Sequence, residues 1–186
     1  KSLVNVPARP DGRLCYRFVT KLRKWLKNKQ LDFTTCLYKG SVDGFTPDAF
    51  HRYCDHQGPT LTVIQSSEGW IFGGYNPSSW HSPDEYAKES PWINTEEAFI
   101  FTLKNPNGIP PTQYTVNEGG HDQQYAVYSH PNAGPTFGKD FDFTILSSGG
   151  SYTKFPCSYD DTTGFGREKF TGSMDFELRE VEVYAV

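Results

Sequence analysis

A two-sheet antiparallel β-sandwich flanked by a few helices is the fold that this 186-residue sequence predicts. Three observations predict it: short β-branched and aromatic runs recur along the chain, loops dense in Pro, Asn, Ser and Gly separate them, and only two stretches show helical periodicity. The length suits one domain with a single sizeable core, so residues 1–15 are read as an arm and 16–186 as one domain. No run of 18 apolar residues occurs, so the sequence offers no membrane-spanning helix.

The elements follow in order. Tyr16 to Lys29 reads as an amphipathic helix, with Phe18, Leu22 and Trp25 or Leu26 on one face and Arg17, Lys21 and Lys24 on another. A strand is expected to end at Leu37 and Tyr38, and Gly40 and Gly44 to let the chain reverse through positive φ. A second helix is signalled from Thr46 to His56, with Thr46 as N-cap, Pro47 at the first helical position and Gly58 just past the end. TLTVIQ (60–65) and WIFGGY (70–75) read as a hairpin closed by Ser66, Ser67, Glu68 and Gly69, with Gly73 and Gly74 marking a bulge or close backbone approach. Further strands are expected at 98–103, 113–116, 124–128, 141–146 and 176–184. No internal repeat interrupts the pattern.

Charge is unevenly placed. Residues 1–30 hold nine of the 18 Lys and Arg but one of the 22 Asp and Glu, leaving an acidic remainder. Such an arm can address nucleic acid; the reading adopted is a cationic helix docked on its own acidic domain, so no nucleic-acid partner is expected. The cysteines, Cys15, Cys36, Cys54 and Cys157, form no C-x-x-C pair, and no N-x-S/T sequon exists because Pro77 follows Asn76. Reduced, mostly buried thiols in a cytoplasmic protein are expected; paired cysteines would instead mean secretion.

Motifs for phosphate loops, dinucleotides and nucleophile elbows are absent from the sequence. In the cluster from His51 to His56, Cys54 is expected in the core and both histidines in solvent, since His51, Cys54 and His56 lack the spacing of a metal site. Glu118-Gly119-Gly120-His121-Asp122 is read as a turn, and the acids Asp140, Asp142, Asp160 and Asp161 as solvated rather than as cation ligands. No cofactor, metal or catalytic set is assigned, and the protein is read as not an enzyme.

Six segments together, LYKGSVDGF, FHRYCD, GPTLTVIQSSEGWIFGGY, EEAFIFTL, GPTFGKDFDFTIL and FELREVEVYAV, resemble the TLDc domain in order over about residues 16–186. The resemblance implies a β-sandwich of TLDc type. It extends to the oxidation-resistance-type and interferon-induced proteins that carry this domain. Members are associated with protection against oxidative damage and with binding and regulating the vacuolar-type proton-pumping ATPase, whose subunits are the implied partner. No family-wide catalytic residues carry over.

Three functional readings result. The first is a non-enzymatic protein-interaction domain, with a partner face at Arg17, Lys21 and Lys24 and the exposed strand acids Glu180 and Glu182; Trp80 and Trp92 are further anchor candidates. The alternative is a secreted sandwich that binds carbohydrate or another small ligand through the loop aromatics Tyr75, Trp80, Tyr86 and Trp92. The third is a peroxide-scavenging thiol at Cys15, which has Arg13 and Arg17 nearby in sequence.

Overall fold

The hairpin expected from TLTVIQ and WIFGGY lies inside one of two antiparallel sheets in the computed structural model, which describes residues 18–27, 36–83, 89–117, 122–146 and 150–186. The first strands are β1 (Cys36–Lys39), β2 (Thr60–Ser66), β3 (Ile71–Asn76), β4 (Trp92–Ile93), β5 (Phe99–Lys104) and β6 (Thr112–Thr115). They are followed by β7 (Val127–Tyr128), β8 (Ala133–Phe137), β9 (Phe143–Leu146), β10 (Ser151–Tyr152), β11 (Asp175–Phe176) and β12 (Leu178–Ala185). The helices are α1 (Val19–Trp25), α2 (Gly40–Asp43) and α3 (Pro47–Cys54). One sheet has the order β1-β12-β2-β3-β5-β6 and the other β11-β10-β9-β8-β7-β4, so the β-sandwich with flanking helices is the architecture.

Two apolar layers hold it together. Ile64, Phe72, Ile100, Phe137, Phe143 and Val183 meet between the sheets. On the outer side of the first sheet, Leu22 and Leu26 at and just beyond the end of α1 pack on Leu61, Val63 and Phe101. Burying each leucine is worth about 1.5–3 kcal/mol, which is why the helix docks through its apolar face and leaves Lys21 and Lys24 in solvent. Covered on both faces, β3 is buried at every position and β2 at all but one, instead of alternating.

The turn in LYKGSVDGF divides its labour between two glycines. Gly44 has φ +98, the left-handed region that glycine accepts without a Cβ penalty. Gly40, expected to do the same, sits instead in α2, where its bare Cα makes room: a Cβ would meet the Phe45 ring and lie 2.9 Å from Val181. Thr46 caps α3 as expected, its hydroxyl accepting from the Ala49 N–H at 3.2 Å.

Several strands differ from expectation. β8, at a position where no strand is expected, carries Gly134 and Pro135; the register shift between Ala133 and Thr136 lets proline sit there without a ladder N–H. Asp122–Tyr125 forms a 3-10 turn, so the strand expected from Gln124 begins only at Val127. The terminal strand, expected at 176–184, is divided into β11 and β12, and β12 lies between β1 and β2.

Candidate functional site

Three polar clusters have the composition of chemistry, and each is tied into the fold. His51 on α3 is buried, which corrects the expectation that it is solvated; His56 is exposed. His51 Nδ1 lies 2.7 Å from Asp55 Oδ1, while its Nε2 lies 2.9 and 3.0 Å from the carbonyl oxygens of His130 and Ala133. Facing only acceptors, both ring nitrogens carry protons. Burial opposes that charge, but the Asp55 hydrogen bond and charge and the two carbonyls outweigh it and raise the His51 pKa. Asp55 also accepts from Ser82 Oγ at 2.6 Å; its burial is outweighed by these bonds, and its pKa is lowered. The trio has Ser, Asp and His, yet the carboxylate stands in the middle and the imidazole has no lone pair to offer as a base. It fastens α3 to the turn before β8.

Asp142, expected in solvent, is fully buried. It accepts from the N–H groups of Cys157 at 2.7 Å and Ser158 at 2.8 Å, and burial, outweighing these donors, pushes its carboxyl up to about 7. Asp161 accepts from the N–H groups of Thr163, Gly164 and Gly166 and pairs with the buried Lys169, whose Nζ stands 4.5 and 4.4 Å from the Tyr114 and Phe155 rings. Burial lowers the Lys169 pKa to about 8. Asp140 stays exposed and Asp160 partly so. Among the described residues, no three His, Cys, Asp or Glu side chains converge as a metal site.

A pH dependence follows from these clusters. Asp142 binds its proton more tightly folded than unfolded, so its stabilisation is full below about pH 4, the unfolded value, and is lost as pH rises through about 7. His51, also raised, loses its contribution as pH climbs past its folded value above 6.5. The thermal midpoint is therefore expected to fall by several degrees from pH 5.5 to 7.5, and Asp142→Asn to flatten that slope. Calorimetry at the two pH values checks both, and a flat wild-type profile refutes the assignment.

What the polar clusters leave over is apolar. Val42 is 66 % and Phe45 40 % exposed, on the α2 turn, and Phe165 and Met174 are exposed elsewhere. The turn is held firmly: Glu180 accepts from the Ser41 N–H at 3.0 Å and the Ser41 hydroxyl at 2.5 Å, and Tyr38 OH donates to the Gly44 carbonyl at 2.7 Å. The sequence marks this turn as architecture, through Gly40 and Gly44; the signal for an exposed apolar corner is the pair Val42 and Phe45 flanking the turn dipeptide Asp43-Gly44. A groove of about 570 Å³ opens between the end of α1 and the β5–β6 edge, lined by Trp25, Tyr75, Phe99 and the acids Glu96 and Glu97.

The sequence model of the TLDc domain matches residues 14–186. The chain belongs to the TLDc domain family. It is also similar to the MTOR-associated protein MEAK7 of Xenopus laevis, with 24% identity over 170 residues, covering 81% of this chain and 31% of the relative. The chain thus spans about a third of the length of the curated relative it matches.

Within this TLDc domain the expected site residues scatter. Tyr75 belongs to β3 and stacks on Phe99 at 5.1 Å, and Trp80 is fully buried against Phe50, so neither is a loop platform; both had the β-spacing or aromatic size that a core also selects. Trp92 is half-buried in β4, and Tyr86 lies outside the described residues. Glu182, expected in solvent, is buried, 3.0 Å from Lys39 Nζ and accepting from Tyr184 OH at 2.5 Å; Glu180 is partly buried and bound to Ser41. Packing around β12 removes these acids from solvent, where strand alternation alone would leave them. Lys21 and Lys24 are exposed, while Arg17 lies outside the described residues. Cys15 and the turn residues 118–121 also lie outside. Cys54 and Cys157 are free thiols with pKa values raised chiefly by burial, that of Cys157 to about 11, the opposite of an activated nucleophile.

Proposed function

We propose that this TLDc domain is a non-enzymatic, regulatory protein-interaction module. The observation that carries the proposal is the α2 corner: Val42 and Phe45 present apolar surface to solvent from a turn pinned by Glu180, Gly40 and Tyr38. Exposed anchors on a rigid support lose little conformational freedom on binding, which is what an interface hot spot requires. The resemblance supplies the finer reading, a cytoplasmic domain that binds subunits of the vacuolar-type proton-pumping ATPase and acts in oxidative-stress protection. The relative's name adds association with mTOR as a second class of partner to test.

The test is capture of purified vacuolar-type ATPase by the immobilised 186-residue chain. Wild type is expected to bind, and the double variant Val42→Asp, Phe45→Asp to bind at least tenfold more weakly with an unchanged circular dichroism spectrum. Equal capture by both proteins removes the corner from the interface, and no capture by wild type overturns the pump assignment.

A further inference from the structure

The outer face of the second sheet carries a continuous row of half-buried aromatic rings that none of the structural ties above explains. Register places Trp92 beside Tyr128, Tyr128 beside Thr136, Thr136 beside Thr144 and Thr144 beside Tyr152, so these side chains share one face. Their neighbours Val127, Phe137 and Phe143 point the other way, into the core. Ring centroids run 5.4 Å from His130 to Tyr128, 4.6 Å from Tyr128 to Trp92 and 5.2 Å from Trp92 to Tyr125.

Phe141 completes the row in an unusual way. Its φ is +66, a conformation that bulky side chains rarely adopt. That backbone puts its ring 5.4 Å from Tyr128 and 6.2 Å from Tyr152, so it bridges the gap above the Thr136–Thr144 pair. The conformation is held in place by the Phe141 N–H bond to Gly138 O, the Lys154 N–H bond to Phe141 O and the buried Asp142 that follows. Strain kept at an aromatic that remains partly exposed points to use of the ring rather than to core packing.

Two cations mark the ends. Lys139 Nζ stands 5.1 Å from the Tyr125 ring centroid and Lys154 Nζ 5.4 Å from that of Tyr152, and neither has a carboxylate partner among the described residues. We infer that this row is a docking surface for an extended, proline-containing segment of a partner protein that carries acidic residues at its two ends. Tyr128 and His130 lie parallel while the Tyr128–Trp92, Trp92–Tyr125, Tyr128–Phe141 and Phe141–Tyr152 pairs are tilted or edge-on at 47–85°, so the row is an aromatic-lined face on which proline rings pack, and a polyproline II segment binds with little ordering cost. The end lysines complement the acids. A nucleic acid fits less well, because it carries charge along its whole length while the cations Lys139 and Lys154 stand only at the two ends of an otherwise apolar row. A sugar fits less well because the ammonium groups already stand over the end rings.

The inference shares with the proposed function only the protein nature of the partner, and its test uses no pump. Fluorescein-labelled peptides with a run of five prolines flanked by glutamates or by lysines are titrated into the 186-residue chain. The glutamate-flanked peptide is expected to bind at least tenfold more tightly, and Lys139→Glu with Lys154→Glu to reverse that preference. Phe141→Gly keeps the positive φ at no steric cost while deleting the ring, and is expected to weaken binding at least tenfold while circular dichroism shows the chain still folded. Phe45→Asp is expected to leave peptide binding intact; if wild type binds the peptide yet captures no pump in the separate assay, the pump assignment fails and this inference stands. Absence of a flank preference, insensitivity to Phe141→Gly, or tighter binding of oligothymidylate or a cello-oligosaccharide overturns it.

Discussion

Trp80→Ala is expected to lower the free energy of unfolding by about 3–5 kcal/mol. The indole is fully buried, makes edge contacts with Phe50 at 5.1 Å and Phe137 at 5.8 Å, and donates from Nε1 to the Thr60 hydroxyl at 2.8 Å. Truncation leaves a cavity between α3 and the two sheets and strands the Thr60 acceptor away from water. A domain of this size has roughly 5–15 kcal/mol in total, so the variant should show a much lower midpoint in urea with a similar slope. A change below about 1 kcal/mol would mean that Trp80 lies outside the core, and would return it to the list of ligand-stacking candidates.

Gly138→Ala should be at least as severe. Gly138 has φ +84, and a Cβ there would fall on the Asp142 carboxylate, 2.8 Å from its carbon. Asp142 would have to leave the N–H groups of Cys157 and Ser158, and each stranded buried donor costs about 1–3 kcal/mol, with the left-handed backbone adding about 1–2 kcal/mol for a side chain. Gly44→Ala separates the two causes: its φ is +98, but the nearest atom to its Cβ is Ala49 Cβ at 4.0 Å, so only the backbone penalty applies. Chemical denaturation of both variants checks the order. If Gly44→Ala proves the more destabilising of the two, the account of Asp142 as the anchor of the 155–158 loop is wrong.

The Asp142 carboxylate also shows where the sequence stops being informative. Phe141, Asp142 and Phe143 alternate, which predicts a strand with its acid in solvent, and Phe143 does begin β9. The second half of the anchor, Cys157 and Ser158, is 15 and 16 residues away, and nothing local in the chain signals that their N–H groups converge there. Glu182 is the same case on the other sheet: its partner Lys39 lies across the chain, brought alongside by β12 pairing with β1. Tyr75 and Trp80 looked like loop residues because Pro, Asn and Ser follow Tyr75, and only the packing shows that Trp80 lies in the core between the sheets and Tyr75 in the layer under α1.

The α3 cap, the β2–β3 hairpin, the amphipathic face of α1 and the two-sheet architecture were all written in short-range patterns, because capping, turn geometry and side-chain periodicity are properties of neighbouring residues. The six dispersed segments that resemble a TLDc domain were legible for the same reason. Tertiary structure alone decided which acids and aromatics are buried, that Gly40 is needed for the Phe45 ring rather than for its φ, and that rings from β4, β7, β10 and the Phe141 turn form one row. Those outcomes depend on contacts between residues distant in the chain, and their energies come from burial and pairing that no local window contains.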